Sequence, residues 1–235
     1  MSAALHKRAA AEAAVSLVED GMLVGLGTGS TAAIAIELLI ERARAGLSIT
    51  CVPTSKESHR QAEAGGLVVL AAPPADRLID LTIDGADEVE LGTLNLIKGL
   101  GGALLWEKIV AAASRRLVII GDDSKVVSSL GGRPKVPLPV EVVPFGWERT
   151  ARRIADLGVR PVIRRRADGA PFQTDSCHLI LDCHAESGTD MAALERSLAA
   201  TVGVVESGLF IGMASLALIA GDQGVTTYRR DGSAR

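Results

Sequence analysis

Apolar residues four apart, Leu5, Ala9, Ala13 and Leu17, predict an amphipathic helix over residues 3–19, stopped by Asp20-Gly21. Met22 to Leu26 is a short unbroken apolar run, the mark of a strand covered on both faces. Glycines and hydroxyls at 27–31 follow, then Ile34, Leu38 and Leu39 line one side of a second helix. Ser48 to Val52 predicts the next strand, 55–64 a helix closed by Gly65-Gly66, and Leu67 to Ala71 a third strand. The alternation continues with a strand at 78–83, a helix near 102–113 and the strand Arg116 to Gly121. Strand and helix in turn predict a Rossmann-like, doubly wound, mostly parallel α/β sheet.

Past Gly131-Gly132 the texture changes. Prolines at 134, 137, 139 and 144 interrupt a valine-rich run, and a helix is expected at 146–157. Then come the strand Val159 to Ile163, a basic turn at Arg164-Arg165-Arg166 expected to be solvated, the strand Phe172 to Cys183, a helix at 190–201 and Val204-Val205. This order predicts a small antiparallel sheet with helices on one face. Residues 131–205 therefore read as a ferredoxin-like α+β domain inserted into a large α/β domain made of 1–130 and 206–235.

Composition narrows the function. Hydrophobic residues make up 48% of the 235, but aromatics only 3%, so the core must be built from Ala, Val, Leu and Ile. A net charge of −3 without a basic stripe argues against a nucleic-acid partner. The longest apolar run, Gly208 to Ala220, is broken by Gly212 and Ser215 and is too short to span a bilayer. Three cysteines without framework spacing, Cys51, Cys177 and Cys183, predict reduced thiols in a cytoplasmic protein. Cys177-His178 and Cys183-His184 look like a metal quartet. Strand alternation, however, would put both cysteines on one face with Leu179 and Leu181 and both histidines on the other, so no metal site is expected.

The candidate chemistry lies in Asp84–Lys108. An apolar run ending at Ile83 delivers Asp84 and Asp87, and Lys98 enters Gly99-Leu100-Gly101-Gly102 before a helix with Glu107 in its second turn. Groups at strand ends of an open α/β sheet are where ligands bind. Upstream, Gly27-Thr28-Gly29-Ser30-Thr31 joins a strand to a helix, an arrangement that offers backbone N–H groups to a phosphate. Ser30 or Thr31 could instead serve only as the helix cap. No Lys follows as in a P-loop, and no G-x-G-x-x-G is present, so no nucleotide or other cofactor is expected. An anion cradle, two aspartates, a lysine and a glutamate suit proton shuttling beside a carbonyl, as in aldose–ketose isomerisation.

These stretches carry a resemblance. GTGST at 27–31, DGADEVE at 84–90, KGLGGALLWEK at 98–108, DDSK at 122–125 and GVVESGLF at 203–210 fall in the order and approximate spacing of the type A ribose-5-phosphate isomerase family. The chain resembles that family over nearly its whole length. The resemblance implies a cytoplasmic homodimer interconverting D-ribose 5-phosphate and D-ribulose 5-phosphate, within the non-oxidative pentose phosphate pathway. Glu107 would be the general base, Asp84 and Asp87 would open the furanose ring and handle hydroxyl protons, and Lys98 would stabilise oxyanion charge. Thr28, Gly29, Ser30, Thr31, Asp84, Gly85, Ala86, Asp87, Lys98, Gly99, Leu100, Gly101 and Lys125 would contact the sugar phosphate, with Lys7 a further phosphate contact. Leu100 and Trp106 depart from the residues common at their positions. Two alternatives stay open on sequence alone: a sugar-phosphate sensor, which would need no base, and a coenzyme A transferase, which would use a glutamate covalently.

Overall fold

Strands and helices alternate from the first helix, α1 (Ala3–Val15), in a computed structural model that describes residues 2–131, 133 and 136–230. Next come β1 (Leu23–Leu26), α2 (Ser30–Arg44), β2 (Thr50–Pro53), α3 (Lys56–Ala64), β3 (Val68–Val69) and β4 (Leu81–Gly85). Two short strands, β5 (Glu88–Glu90) and β6 (Leu96–Ile97), precede α4 (Leu104–Ala112) and β7 (Leu117–Asp122). A 3₁₀ turn over Asp123–Lys125 leads into β8 (Val126–Val127). The second half holds β9 (Leu138–Val142), α5 (Trp147–Ala155), β10 (Arg160–Ile163), β11 (Leu179–His184), α6 (Met191–Ala199) and β12 (Val204–Ser207). The chain closes with β13 (Leu209–Phe210), β14 (Leu216–Gly221) and β15 (Gly224–Arg229).

Seven strands form the main sheet in the order β15-β14-β7-β4-β1-β2-β3, parallel except for the β14–β15 hairpin. From β1 the chain winds one way through β2 and β3, then returns to β4 and winds the other way. The crevice between β1 and β4 is thus the topological switch point, where ligands bind in such sheets. On one face, α1 and α2 pack through Ala10, Ala14, Ile36 and Leu39 against Val24, Leu26 and Ile83. Ala10, Ala11 and Ala14 of α1 are wholly buried, and their small size suits close approach of the helix to the sheet. On the other face, Val110 of α4 packs with Leu23, Val52 and Ile79.

A four-stranded antiparallel sheet, β10-β11-β9-β12, carries α5 and α6, the ferredoxin-like order that the alternation predicted. A third sheet, β13-β6-β5-β8, is a feature the periodicity did not reveal, because its strands are two or three residues long. Two expectations change here. The strand expected over 172–183 is confined to Leu179–His184, and Cys177 sits in a turn with φ +63°. Cys177 is exposed while Cys183 is buried with Leu179 and Leu181, so the cysteines do not share a face. The Arg164 side chain, in the turn expected to be solvated, is only 13% exposed and is paired with Asp182.

Candidate active site

Close packing of β1 on β4 builds the floor of the site. A Cβ on Gly27 would lie 2.3 Å from Asp84 Oδ1, so only glycine lets the two strands carry Asp84 to this depth. The glycines at 25 and 27 therefore belong to strand packing, and the phosphate-loop role rests on Gly29. Gly29, at φ +103°, is the N-cap of α2, and no side chain caps that helix. Its first N–H groups and the positive end of its dipole thus face the cleft uncompensated. The cap is Gly29 rather than Ser30 or Thr31, and Ser30 Oγ instead accepts a hydrogen bond from Lys7 Nζ at 2.9 Å.

Asp84 is 1% exposed and lies within β4, which runs two residues further than the apolar pattern suggested. Its Oδ1 accepts N–H bonds from Thr28 (3.1 Å) and Gly85 (2.7 Å), and its Oδ2 is 3.0 Å from Lys98 Nζ. Lys98 follows β6 and so reaches the site from the third sheet. It is 2% exposed, and its ammonium donates to Gly85 O at 2.5 Å and Glu107 Oε1 at 3.0 Å. Phe210 lies beneath it, 5.5 Å from the ring centre. Glu107 is 4% exposed and belongs to the first turn of α4, because the helix starts at Leu104, two residues later than expected. Its Oε2 accepts no hydrogen bond from any described residue.

One ammonium thus lies between two buried carboxylates. Burial alone would push Lys98 down, but Asp84 and Glu107 more than reverse this, and it stays protonated with its pKa raised. Burial also raises both carboxyls against the pull of Lys98. Asp84 has two backbone donors to hold its charge, whereas Glu107 has a bare Oε2 and the charges of Asp84 and Asp87 nearby. The extra proton of the triad therefore favours Glu107, whose pKa is pushed up to about 8. A carboxylate poised near neutrality is a competent general base.

Above this triad opens a cleft of about 120 Å³ lined by Thr28–Thr31, Gly85–Asp87, Lys98, Gly99, Gly101, Glu107, Lys125 and Lys7. A family model for ribose 5-phosphate isomerase A (phosphoriboisomerase A) matches residues 50–224. The chain belongs to the ribose 5-phosphate isomerase A family. It is accordingly an enzyme, an isomerase, and both the sensor and the transferase alternatives fall away. Ribose-5-phosphate isomerase A of Gloeobacter violaceus is 55% identical over 219 residues, covering 93% of this chain and 94% of its own. The ribose 5-phosphate isomerase A structure from Methanocaldococcus jannaschii superposes with a TM-score of 0.91 at 37% identity, covering 97% of this chain and all of that one. A D-ribose-5-phosphate isomerase in complex with phospho-erythronic acid gives a TM-score of 0.92 at 33% identity, covering 98% of this chain and 100% of its own.

Against this isomerase frame, most of the expected site residues converge on one cleft, but they take different stations. Asp84 lies under the floor, where it faces Lys98 and not the open cleft. Leu100 turns its side chain outward, 40% exposed, and gives its N–H to Asp87 Oδ2 at 2.9 Å. Thr28 Oγ1 is engaged with Thr54 Oγ1 (2.7 Å) and Ser55 Oγ (2.8 Å). Those two buried hydroxyls orient the loop and escaped the sequence reading, although their position directly after β2 was the available signal. Lys7, from α1, does line the cleft. Among the described residues no three His, Cys, Asp or Glu side chains converge as metal ligands, and no helix is long and apolar enough to cross a membrane.

Proposed function

We propose that this isomerase interconverts D-ribose 5-phosphate and D-ribulose 5-phosphate through an enediolate, with Glu107 as the base, as a cytoplasmic homodimer of the non-oxidative pentose phosphate pathway. The observation that carries the reading is the bare, buried Glu107 Oε2 at the edge of the cleft, its other oxygen held 3.0 Å from Lys98. The sugar's phosphate sits on the N-terminus of α2, with Lys7 and Lys125 adding positive charge. Glu107 takes the proton from C2, the electron pair of that C–H bond forms the C1=C2 double bond, and the π pair of C1=O moves onto O1 to give the enediolate. The Lys98 ammonium faces the developing charge. A proton then passes from O2 to O1 beside Asp87, and Glu107 returns its proton to C1. The neighbour holding phospho-erythronic acid fits this reading, since a carboxylate beside a hydroxyl-bearing carbon has the charge and shape of an enediolate. The test is formation of the ketose from ribose 5-phosphate, followed after exhaustive chelation. Absence of ketose, or turnover that needs an added divalent ion, would overturn the proposal.

The phosphate placement makes its own prediction. Gly29 needs a positive φ, and a Cβ there would stand in open space with no described atom within 4 Å. Gly29→Val should therefore strain the loop and intrude on the anion, weakening inhibition by a phosphorylated sugar acid by about tenfold or more. Ser30→Ala removes only the hydroxyl that Lys7 holds and should cost severalfold less. Small and equal losses would place the phosphate elsewhere.

The pH profile follows from Glu107. A carboxyl pushed up to about 8 is mostly protonated at neutral pH, so kcat/KM should rise with pH and level off above about 8. A profile flat from roughly pH 6 to 9 would count against Glu107 as the base.

A further inference from the structure

Arg164 follows β10 in the antiparallel sheet, yet its guanidinium reaches the active-site loop. Nη2 and Nε donate to Asp182 Oδ1 and Oδ2 at 2.5 and 3.0 Å, a two-pronged fork. Nη1 turns the other way and donates to Gly99 O at 3.0 Å and Leu100 O at 2.9 Å. The ring of Phe172 lies against the guanidinium, 5.8 Å from its centre. All three nitrogens are committed, and the side chain has little freedom to do anything else.

One peptide group joins this arginine to the chemistry. The Gly99–Leu100 amide receives Arg164 on its oxygen, and its N–H donates to Asp87 Oδ2 at 2.9 Å. A charge-assisted bond to the carbonyl polarises the amide and strengthens its N–H as a donor. It also orients the peptide plane in a loop that contains Gly99, Gly101 and Gly102 and would otherwise be costly to order. Asp87 Oδ2 is thereby held, while Oδ1 has no donor among the described residues.

We propose that Arg164 is a positioning residue for Asp87, acting through the Gly99–Leu100 peptide group. The proposal rests on the reading of Asp87 as the group that handles hydroxyl protons. Its rival is a plain staple, in which Arg164 braced by Asp182 within the antiparallel sheet merely ties that sheet to the Gly99–Leu100 loop and has no bearing on turnover.

Four variants of the full chain separate the two: Arg164→Lys, Asp87→Asn, the double variant and Asp182→Asn, each measured for kcat, KM and Tm. Lysine keeps the charge but cannot fork to two carboxylate oxygens and two carbonyls at once. Arg164→Lys should lower kcat about tenfold with KM within about twofold, as expected when a reacting group is slightly misaimed. In the Asp87→Asn background the same substitution should cost less than about twofold, since no carboxylate is left to aim. Asp182→Asn loosens the staple but leaves Arg164 its carbonyls, so kcat should stay within about twofold while Tm falls. An equal loss from Arg164→Lys in both backgrounds, or an equal loss from Asp182→Asn, would overturn the proposal. If Asp87→Asn alone turned over at the wild-type rate, the reading of Asp87 itself would fail, and the positioning role with it.

Discussion

Replacing Glu107 with glutamine will lower turnover of ribose 5-phosphate by at least ~10²-fold and leave KM within a few-fold, the usual cost of removing a positioned acid–base group. Glutamine keeps the shape and can still accept from Lys98, but it cannot take a proton from C2. The decisive measurement is exchange of the substrate's C2 hydrogen with deuterated solvent. Exchange at the wild-type rate in Glu107→Gln would show that another group is the base. Stability should move the other way. A carboxyl whose folded pKa is raised from 4.5 to about 8 loses stability as pH climbs through that window, because the buried group must give up its proton. Glu107→Gln should therefore melt above the wild type near pH 9 and close to it near pH 4. A variant that melts lower at both would mean that the ionised glutamate, with Lys98, is a net stabilising pair.

Lys98→Met should be the more damaging change, since it costs activity and stability together. Methionine fills most of the volume beside Phe210 but leaves Asp84 and Glu107 facing each other with no cation between them. Removing one partner from a buried ionic cluster costs roughly 3–5 kcal/mol, partly relieved as the carboxyls take up protons. Urea unfolding at pH 8 should show a loss of about 3 kcal/mol that shrinks as pH falls and the two buried carboxyls, both raised by burial, take up protons. Turnover should fall by at least ~10²-fold, because a cation facing the enediolate is lost and Glu107 is driven further toward its protonated form. Turnover within about tenfold of wild type, at unchanged stability, would remove Lys98 from the mechanism.

How much of this was legible depended on the range of the interaction. Alternation of apolar strands with amphipathic helices predicted the parallel sheet, and the β-α-β-β-α-β order predicted the antiparallel one, because both patterns are written within ten to fifteen residues. The residue blocks that carried the family resemblance brought Glu107, Asp84, Asp87 and Lys98 into view together. The four short strands of the third sheet were not legible, since two apolar residues such as Leu96-Ile97 have no period. Nor was the strand limit at Leu179, where a positive φ at Cys177 ends the alternation that placed the cysteines on one face.

The chain by itself determined which elements form, which side chains are candidates for the chemistry and which family it resembles. These rest on local propensity, on patterning and on residues that occur in a fixed order. What only the tertiary structure decided is how those side chains share charge. Asp84, Lys98 and Glu107 are up to 23 residues apart and come from the main sheet, the third sheet and a helix start. Their burial and distances leave Glu107 with a bare oxygen and a raised pKa, while Asp84 keeps two backbone donors. Likewise, Arg164 reads as one of three arginines in a turn until the fold sets it beside Gly99 and Leu100. Proton affinity depends on desolvation and on neighbours within a few ångströms, and neither is encoded by position along the chain.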